Sequence, residues 1–299
     1  MVIDELRPKY RLKVLLQVSG LSKSTYSYYH SKKHLDAQKQ KDEEDERIYQ
    51  IILPVFEHHK GRYGYRRIIL ALATELEGIN HKRIRRIMRE HGLFGKQPKQ
   101  KYHSYKGDNG ELKENLLLHK EIDSKTNKTK YMRDFSTTGP NQKWTTDVSQ
   151  FNVCGKKVYL SPILDMYDHS IIAYDISLIP NFEQTKRMID RAFQSQSNLE
   201  GLIFHSDQGW QYQMKPYQKW LEDKGILQSF SRKGNCMDNS LMENFFGIMK
   251  NEMYYGYVYN SVEELIEAME EYIRYYNEER INLKRKGLSP LQYRQQSLS

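Results

Sequence analysis

Residues 202–207, LIFHSD, constrain the fold of this chain more than any other stretch: a short apolar run ends in a carboxylate and is followed at once by a Gln-Gly turn signal. Such a run reads as a buried strand that delivers an acid at its C-terminal end, where ligands of open α/β sheets gather. Two further acids stand in settings as specific. Asp147 lies in NQKWTTDVSQF, flanked by Trp144, Val148 and Phe151, a run whose Thr, Val and aromatic content predicts a strand rather than a solvated loop. Glu243 lies in SRKGNCMDNSLMENFFGIMK, where Asp238 or Asn239 is expected to cap a helix. Asn239, Glu243 and Lys250 then share one face, and Met242, Phe245, Phe246, Met249 and Met253 mark the core-facing one. With 38 acidic residues in 299, spacing alone selects little, and it is the setting of each acid that singles it out.

The surrounding pattern is α/β. Strand-like runs at 144–153, 157–165 and 170–177, separated by Cys154-Gly155 and by a turn at 167–169, predict an antiparallel meander. A helix over 182–193 precedes the 202–207 strand, and an amphipathic helix over 212–224, a short strand over 227–231 and the Glu243 helix follow. Upstream the chain reads as helical. Residues 5–18 and 23–30 form two helices joined by Ser19-Gly20-Leu21-Ser22, and KQKDEEDER opens a third that Gly61-Arg62-Tyr63-Gly64 ends. Helices over 65–76 and 81–91 come next. On the second of these Arg83, Arg85, Arg86 and Arg89 surround a buried stripe of Ile84, Ile87 and Met88, which suits a DNA-contacting helix; a solvated basic face is the alternative. Residues 96–135 are Lys-rich and polar, a partly extended linker whose Tyr102, Tyr105 and Tyr131 either stack on a nucleic-acid backbone or belong to a tether. A last helix over 261–280 opens on a Ser cap with Glu263 and Glu264 behind it. The expected organisation is an N-terminal helical segment (1–40), a helix-turn-helix-like domain (41–95), a basic linker (96–135) and a catalytic domain (136–299).

Charge separates these parts by partner. The formal net charge is +9, and residues 61–140 carry 18 basic against 9 acidic side chains whereas 141–299 carry 18 against 20. A polyanion therefore belongs upstream and a cation downstream. Two cysteines make no disulfide framework, and neither a leader nor an apolar run of membrane-spanning length is visible, so a cytoplasmic protein with no membrane partner is expected. Ten histidines show no paired zinc spacing. His205, Ser206 and Asp207 cannot form a relay, because neighbouring strand residues point to opposite faces. Asp165, Asp168, Asp175 and Asp238 remain rivals for a place in the acidic set, with Asp238 the nearest.

The motifs W-x-x-D, H-S-D-Q-G-x-Q-Y, S-R-K-G-N-C-x-D-N-x-x-x-E-x-F-F-x-x-x-K, Y-Y-N-E-x-R and L-S-P-x-Q-Y resemble those of the insertion-sequence transposases encoded in two overlapping reading frames, whose catalytic core is like that of retroviral integrases. Thirty-five residues separate Asp207 from Glu243, as in that family's acidic triad. The resemblance implies a ribonuclease H-like catalytic core behind an all-helical, helix-turn-helix-like region. It implies Asp147, Asp207 and Glu243 as catalytic metal ligands for two Mg2+ ions, with Mn2+ as a substitute, and Lys250 beside the four arginines as a DNA contact. Its activity would be binding of element ends, cleavage that exposes a 3′ hydroxyl, and direct attack of that hydroxyl on a second strand, by way of a circular intermediate. A homo-oligomer on paired ends, the product of the upstream frame as partner, and a place at the nucleoid follow from the same resemblance. No long heptad run is visible, so the chain reads as the second-frame product. A ribonuclease H-like nuclease without strand joining and a non-catalytic DNA-binding regulator stay open.

The chemistry explains why carboxylates are needed. Attack on a phosphodiester gains most when divalent cations sit on the attacking and leaving oxygens. Hard cations take oxygen ligands, and three carboxylates leave positions for water and substrate.

Overall fold

The computed structural model describes residues 2–96, 113–122, 129–196, 199–232 and 235–298, and the chain divides into two units, Met1–Gly95 and Lys96–Ser299. The first unit is all helical: α1 (Val2–Leu6), α2 (Leu12–Ser19), α3 (Lys23–Tyr29), α4 (Lys32–His58), α5 (Tyr65–Ala71) and α6 (His81–Glu90). The helix expected over 5–18 is broken in two. Pro8 disfavours helical geometry at Arg7, and the N–H groups of Lys9 and Tyr10 both turn back to the Leu6 carbonyl at 3.0 Å. Gly20, at φ 68°, ends α2, and the Ser22 hydroxyl caps α3 by accepting from the Thr25 N–H at 3.0 Å. Ser31 caps α4 in the same way through the His34 N–H, so that helix starts well before its charged run.

In the second unit β1 (Leu118–Ile122) and β2 (Thr129–Arg133) form an antiparallel hairpin inside the stretch expected to be a linker. Its strands, LHKEI and TKYMR, lack the apolar face that announces a strand in sequence, which is why the pattern concealed them. Tyr102 and Tyr105 lie outside the described residues. The main sheet contains β3 (Lys143–Thr146), β4 (Ser149–Val153), β5 (Lys156–Asp165), β6 (Ile171–Ser177), β7 (Ile203–Ser206) and β8 (Leu227–Phe230). β6 lies antiparallel on one edge of β5, β3 and β4 lie antiparallel on the other, and β7 and β8 continue parallel from β3. Three antiparallel strands followed by two parallel ones is the ribonuclease H-like arrangement.

β3 and β4 are one strand interrupted. Thr146 pairs with Ile163 and Ser149 with Leu160, a single register in which Asp147 and Val148 fall opposite Pro162 and Ser161. Pro162 has no N–H to offer, and its carbonyl accepts from the Thr146 hydroxyl at 2.9 Å instead. The ladder therefore opens at Asp147 and frees that residue from sheet geometry.

The helices are α7 (Phe182–Ser195), α8 (Lys215–Glu222), α9 (Ser240–Met249), α10 (Val262–Glu278) and α11 (Pro290–Leu298). Trp144, Phe204 and Phe230 from the strands pack with Met188 and Ile189 of α7 and Tyr217 and Leu221 of α8 in one buried cluster. The alternate strand residue Thr145 is turned to the other side, toward the start of α9. There Phe245 of α9 meets Tyr276 of α10 edge to face at 5.0 Å. Among the described residues no helix is long and apolar enough to cross a membrane.

Candidate active site

Asp147 is the first residue beyond β3 and Asp207 the first beyond β7. Those strands run parallel with Thr146 opposite Ser206, so the two acids leave adjacent strand ends side by side, with about 4.8 Å between strand axes. Each accepts a hydrogen bond from the backbone just after it. Asp147 Oδ1 accepts from the Val148 N–H at 2.7 Å, and Asp207 Oδ1 from the Gly209 N–H at 2.9 Å. Burial raises the Asp207 pKa, with the Gly209 N–H opposing it, and no ion-pair partner of Asp207 lies among the described residues. A half-buried carboxylate without a cation is disfavoured, and a bound metal ion relieves it.

The four rival acids contrast with it, because each already has an arginine partner, even Asp165, whose pKa burial and the Asp168 charge push up to about 6. Arg294 binds both Asp165 and Asp168 at 2.5 Å. Arg187 and Arg191 reach Asp175 at 2.7 and 3.3 Å. Arg133 and Arg232 reach Asp238 at 2.7 and 2.9 Å and hold its pKa down at about 2 against the cost of burial.

Glu243 occupies the first turn of α9, which begins after the 3₁₀ turn Cys236–Asn239. Neither Asp238 nor Asn239 caps that helix through its side chain, contrary to the sequence expectation. Charged donors hold a carboxylate more strongly than a backbone N–H does, and they take Asp238. Asn239 instead reaches the sheet: its amide N–H donates to the Thr146 carbonyl at 3.1 Å and its amide oxygen accepts from the Thr145 hydroxyl. The start of α9 is thereby tied to the two residues before Asp147, and Glu243 stands one turn further along the same helical face. Lys250 follows at the opening of a π-helical turn, Lys250–Tyr254, with its ammonium 4.8 Å over the Phe151 ring. Burial lowers its pKa and the Asp147 charge opposes that shift, so this cation lies on the Asp147 side of the site.

Two buried residues support this arrangement. Tyr212 is fully buried, its hydroxyl 3.5 Å from that of Thr146, and desolvation together with both aspartates keeps it a neutral phenol. His205 is buried between Ser229 and Ser231 at 2.8 and 3.0 Å, and burial pushes its pKa down to about 4. Ser206 donates to the Asp207 carbonyl at 3.0 Å rather than to His205, in agreement with the exclusion of a relay.

In the first unit the arginines of α6 divide into two pairs. Arg83 and Arg86 bind Asp45 of α4 at 2.6 and 2.5 Å, with further bonds to Glu44 and Glu90, so both serve to hold α6 against α4. Arg85 and Arg89 are exposed, as is Lys82, and the Arg85 guanidinium lies 5.7 Å from the Tyr65 ring. On the hairpin, Tyr131 is faced by Arg232 at 5.5 Å.

Comparison with known proteins places the chain in a family. Family models described as integrase core domain match residues 137–236 and 243–298, and one described as HTH-like domain matches residues 43–101. The chain is 41% identical over 296 residues to the putative transposase InsK for insertion sequence element IS150 of Escherichia coli (strain K12), covering 99% of this chain and 98% of that one. It is 51% identical over 223 residues to an uncharacterized transposase-like protein of Haemophilus influenzae, covering 74% of this chain and 95% of the other. Among solved structures, the catalytic core domain of HTLV-2 integrase in complex with magnesium covers 53% of this chain and 99% of its own, with 17% identity and a TM-score of 0.42.

Proposed function

The chain belongs to the insertion-sequence transposases, enzymes of the polynucleotidyl transferase type, and we propose that Asp147, Asp207 and Glu243 are its catalytic carboxylates, holding two Mg2+ ions, with Mn2+ able to replace them. Core domains of this kind are metal-dependent. The residues fit such a group: the donor set is all hard oxygen, and Asp207 is a half-buried carboxylate whose pKa burial raises and that pairs with no protein cation among the described residues. That observation carries the reading. When bound, the ions supply charge stabilisation at the attacking and leaving oxygens of an in-line displacement.

The chain's own residues do the rest. The aspartates, fixed by their N–H bonds to Val148 and Gly209, keep their oxygens at the strand ends, and Asn239 fixes the helix that carries Glu243. Lys250 binds a DNA phosphate beside Asp147. One site then serves hydrolysis at the element end and attack by the exposed 3′ hydroxyl on a second strand, with no covalent bond to the protein. Residues 41–95 bind the element ends, 96–135 connect them to the catalytic domain of 136–299, and 1–40 form a helical appendage. Paired ends require a multimer, and the family resemblance adds the upstream-frame product as partner and a circular intermediate.

Magnesium-dependent nicking of a labelled duplex that ends in the element's inverted repeat tests this, followed by joining of a pre-cleaved end to a second duplex. Cutting without joining would leave a plain nuclease, and neither would leave a DNA-binding regulator.

Binding makes a separate prediction. Arg85→Ala with Arg89→Ala is expected to lower the slope of log affinity against log salt by up to about 1.8, since each lost phosphate contact contributes about 0.9. Anisotropy of a labelled duplex across a salt series, without divalent cation, measures it. An unchanged slope would remove α6 from the DNA interface. Arg83→Ala is expected to act differently: it leaves buried Asp45 short of a partner, so it should loosen α6, which hydrogen exchange detects.

A further inference from the structure

Asp238 sits where the hairpin, the end of β8 and the start of the Glu243 helix meet. Its carboxylate, 1% exposed, accepts from Arg133 Nε at 2.7 Å, from Arg232 Nε, Nη2 and N–H at 2.9, 3.0 and 3.0 Å, and from Asn115 Nδ2 at 3.0 Å. Arg232 follows β8, whereas Arg133 ends β2 and Asn115 precedes β1. One buried acid therefore binds the hairpin segment to the turn Cys236–Asn239, whose last residue, Asn239, grips β3 beside Asp147.

The same segment has a second attachment. The Leu116 N–H donates to Ser229 Oγ at 2.9 Å, and Ser229 lies 2.8 Å from His205 Nδ1, two residues before Asp207. Asn115, Leu116 and Arg133 thus touch the supports of two different site acids, although they lie outside the catalytic sheet.

We propose that Asp238 is a positioning residue: by binding Arg133 of the hairpin together with Arg232, it fixes the turn Cys236–Asn239 and with it the place of Glu243 over Asp147 and Asp207, so that the cation affinity of the site depends on the docked hairpin. This rests on the reading of the three acids as a cation site. Three features favour positioning over bulk stabilisation. The contact is made at the turn that launches α9, the next residue bonds the strand of Asp147, and the arginine that bridges to the hairpin is itself partly exposed, at 28%. Groups that orient metal ligands through hydrogen bonds commonly cost tenfold or more in metal affinity when removed, even where the ligands are intact.

The test is calorimetric titration of the full chain with Mn2+ in the absence of DNA, with tryptophan fluorescence following unfolding of each variant. Arg133→Gln is expected to weaken Mn2+ binding about tenfold, the lower end for residues that support metal ligands, while the unfolding midpoint stays near the wild-type value. Arg133→Lys, which restores one charged donor, should recover part of that loss. Asp238→Asn should weaken binding further; because it strands two guanidiniums it can also fail to fold, and Arg133→Gln and Asn115→Ala, at partly exposed positions, then decide the matter. Wild-type Mn2+ affinity in Arg133→Gln and Asn115→Ala would overturn the positioning role, as would a lowered midpoint with unchanged affinity. Glu243→Gln separates the two levels. If it weakens Mn2+ binding and the hairpin variants do not, only the positioning proposal fails; if it too binds like the wild type, the cation site itself is misassigned.

Discussion

Asp147→Asn, Asp207→Asn and Glu243→Gln are each expected to abolish strand cleavage and strand joining together, by at least about a thousandfold, or roughly 4 kcal/mol of transition-state stabilisation. Each change keeps side-chain volume and removes one ligand charge, so the domain should remain folded and still bind DNA through its upstream unit. Losses should not add, because groups that act as one unit fail together; a double substitution should be about as inactive as a single one. Asp207→Asn carries a second signature that activity does not report. Burial raises the Asp207 pKa above its unfolded value, so the folded state disfavours the ionised form, and stability falls as pH rises from the unfolded value through the folded one. At neutral pH without divalent cation, Asp207→Asn should therefore unfold at a higher temperature than the wild type. With Mg2+ the order should narrow or reverse, because only the wild type gains from binding. A variant that is less stable than the wild type in chelator would show that some protein group already neutralises Asp207. Glu267→Gln, on an exposed face of α10, is a control that should change neither property.

The parts of this site that sequence could show are those written in short-range pattern. LIFHSD announces its strand because Phe204 is buried on one side and His205 on the other, and the methionine and phenylalanine stripe of α9 announces its helix. The parts that stayed hidden depend on partners far along the chain. The strand expected over 144–153 opens at Asp147 because Pro162, fifteen residues on, has no N–H to give. Arg83 and Arg86 looked like DNA contacts because their partner Asp45 lies 38 and 41 residues upstream, inside a charge run that reads as solvated. Asp238 looked like a helix cap because Arg133 is 105 residues away, on a hairpin without an apolar face. Its exchange for Asn, which a helix cap would tolerate, here takes the charge from between two arginines. Local propensity proposes a role for a polar residue, and a distant charge decides whether the residue takes it.

The second large effect is expected at the far end of the Glu243 helix. Glu252 and Arg280, 3% and 4% exposed, form a two-pronged pair at 2.7 and 2.9 Å, and the Tyr272 hydroxyl donates to the same carboxylate at 3.0 Å. The pair exists because the helix changes pitch there. Asn251, Glu252 and Met253 are all buried in succession, and the Tyr255 N–H closes on the Lys250 carbonyl five residues back at 2.6 Å, the mark of a π-helical turn. Arg280→Met leaves the Glu252 charge buried without its guanidinium and should cost about 3–5 kcal/mol. For a unit of this size that lowers the unfolding midpoint by roughly 6–20 °C. Trp144, Trp210 and Trp220 all lie in the second unit, so their fluorescence reports its unfolding alone. Removing the whole constellation, as Glu252→Leu with Arg280→Met and Tyr272→Phe, should restore most of that stability, because well-packed apolar groups often replace a buried ion pair at little cost. Joining activity should not return with it. The π turn begins at Lys250, and without the Glu252 anchor the helix can relax to ordinary pitch and carry the ammonium away from Asp147. A triple variant that regains both midpoint and joining would make the pair a stabiliser only, and an Arg280→Met protein that unfolds within about 1 kcal/mol of the wild type would contradict its burial as an ion pair.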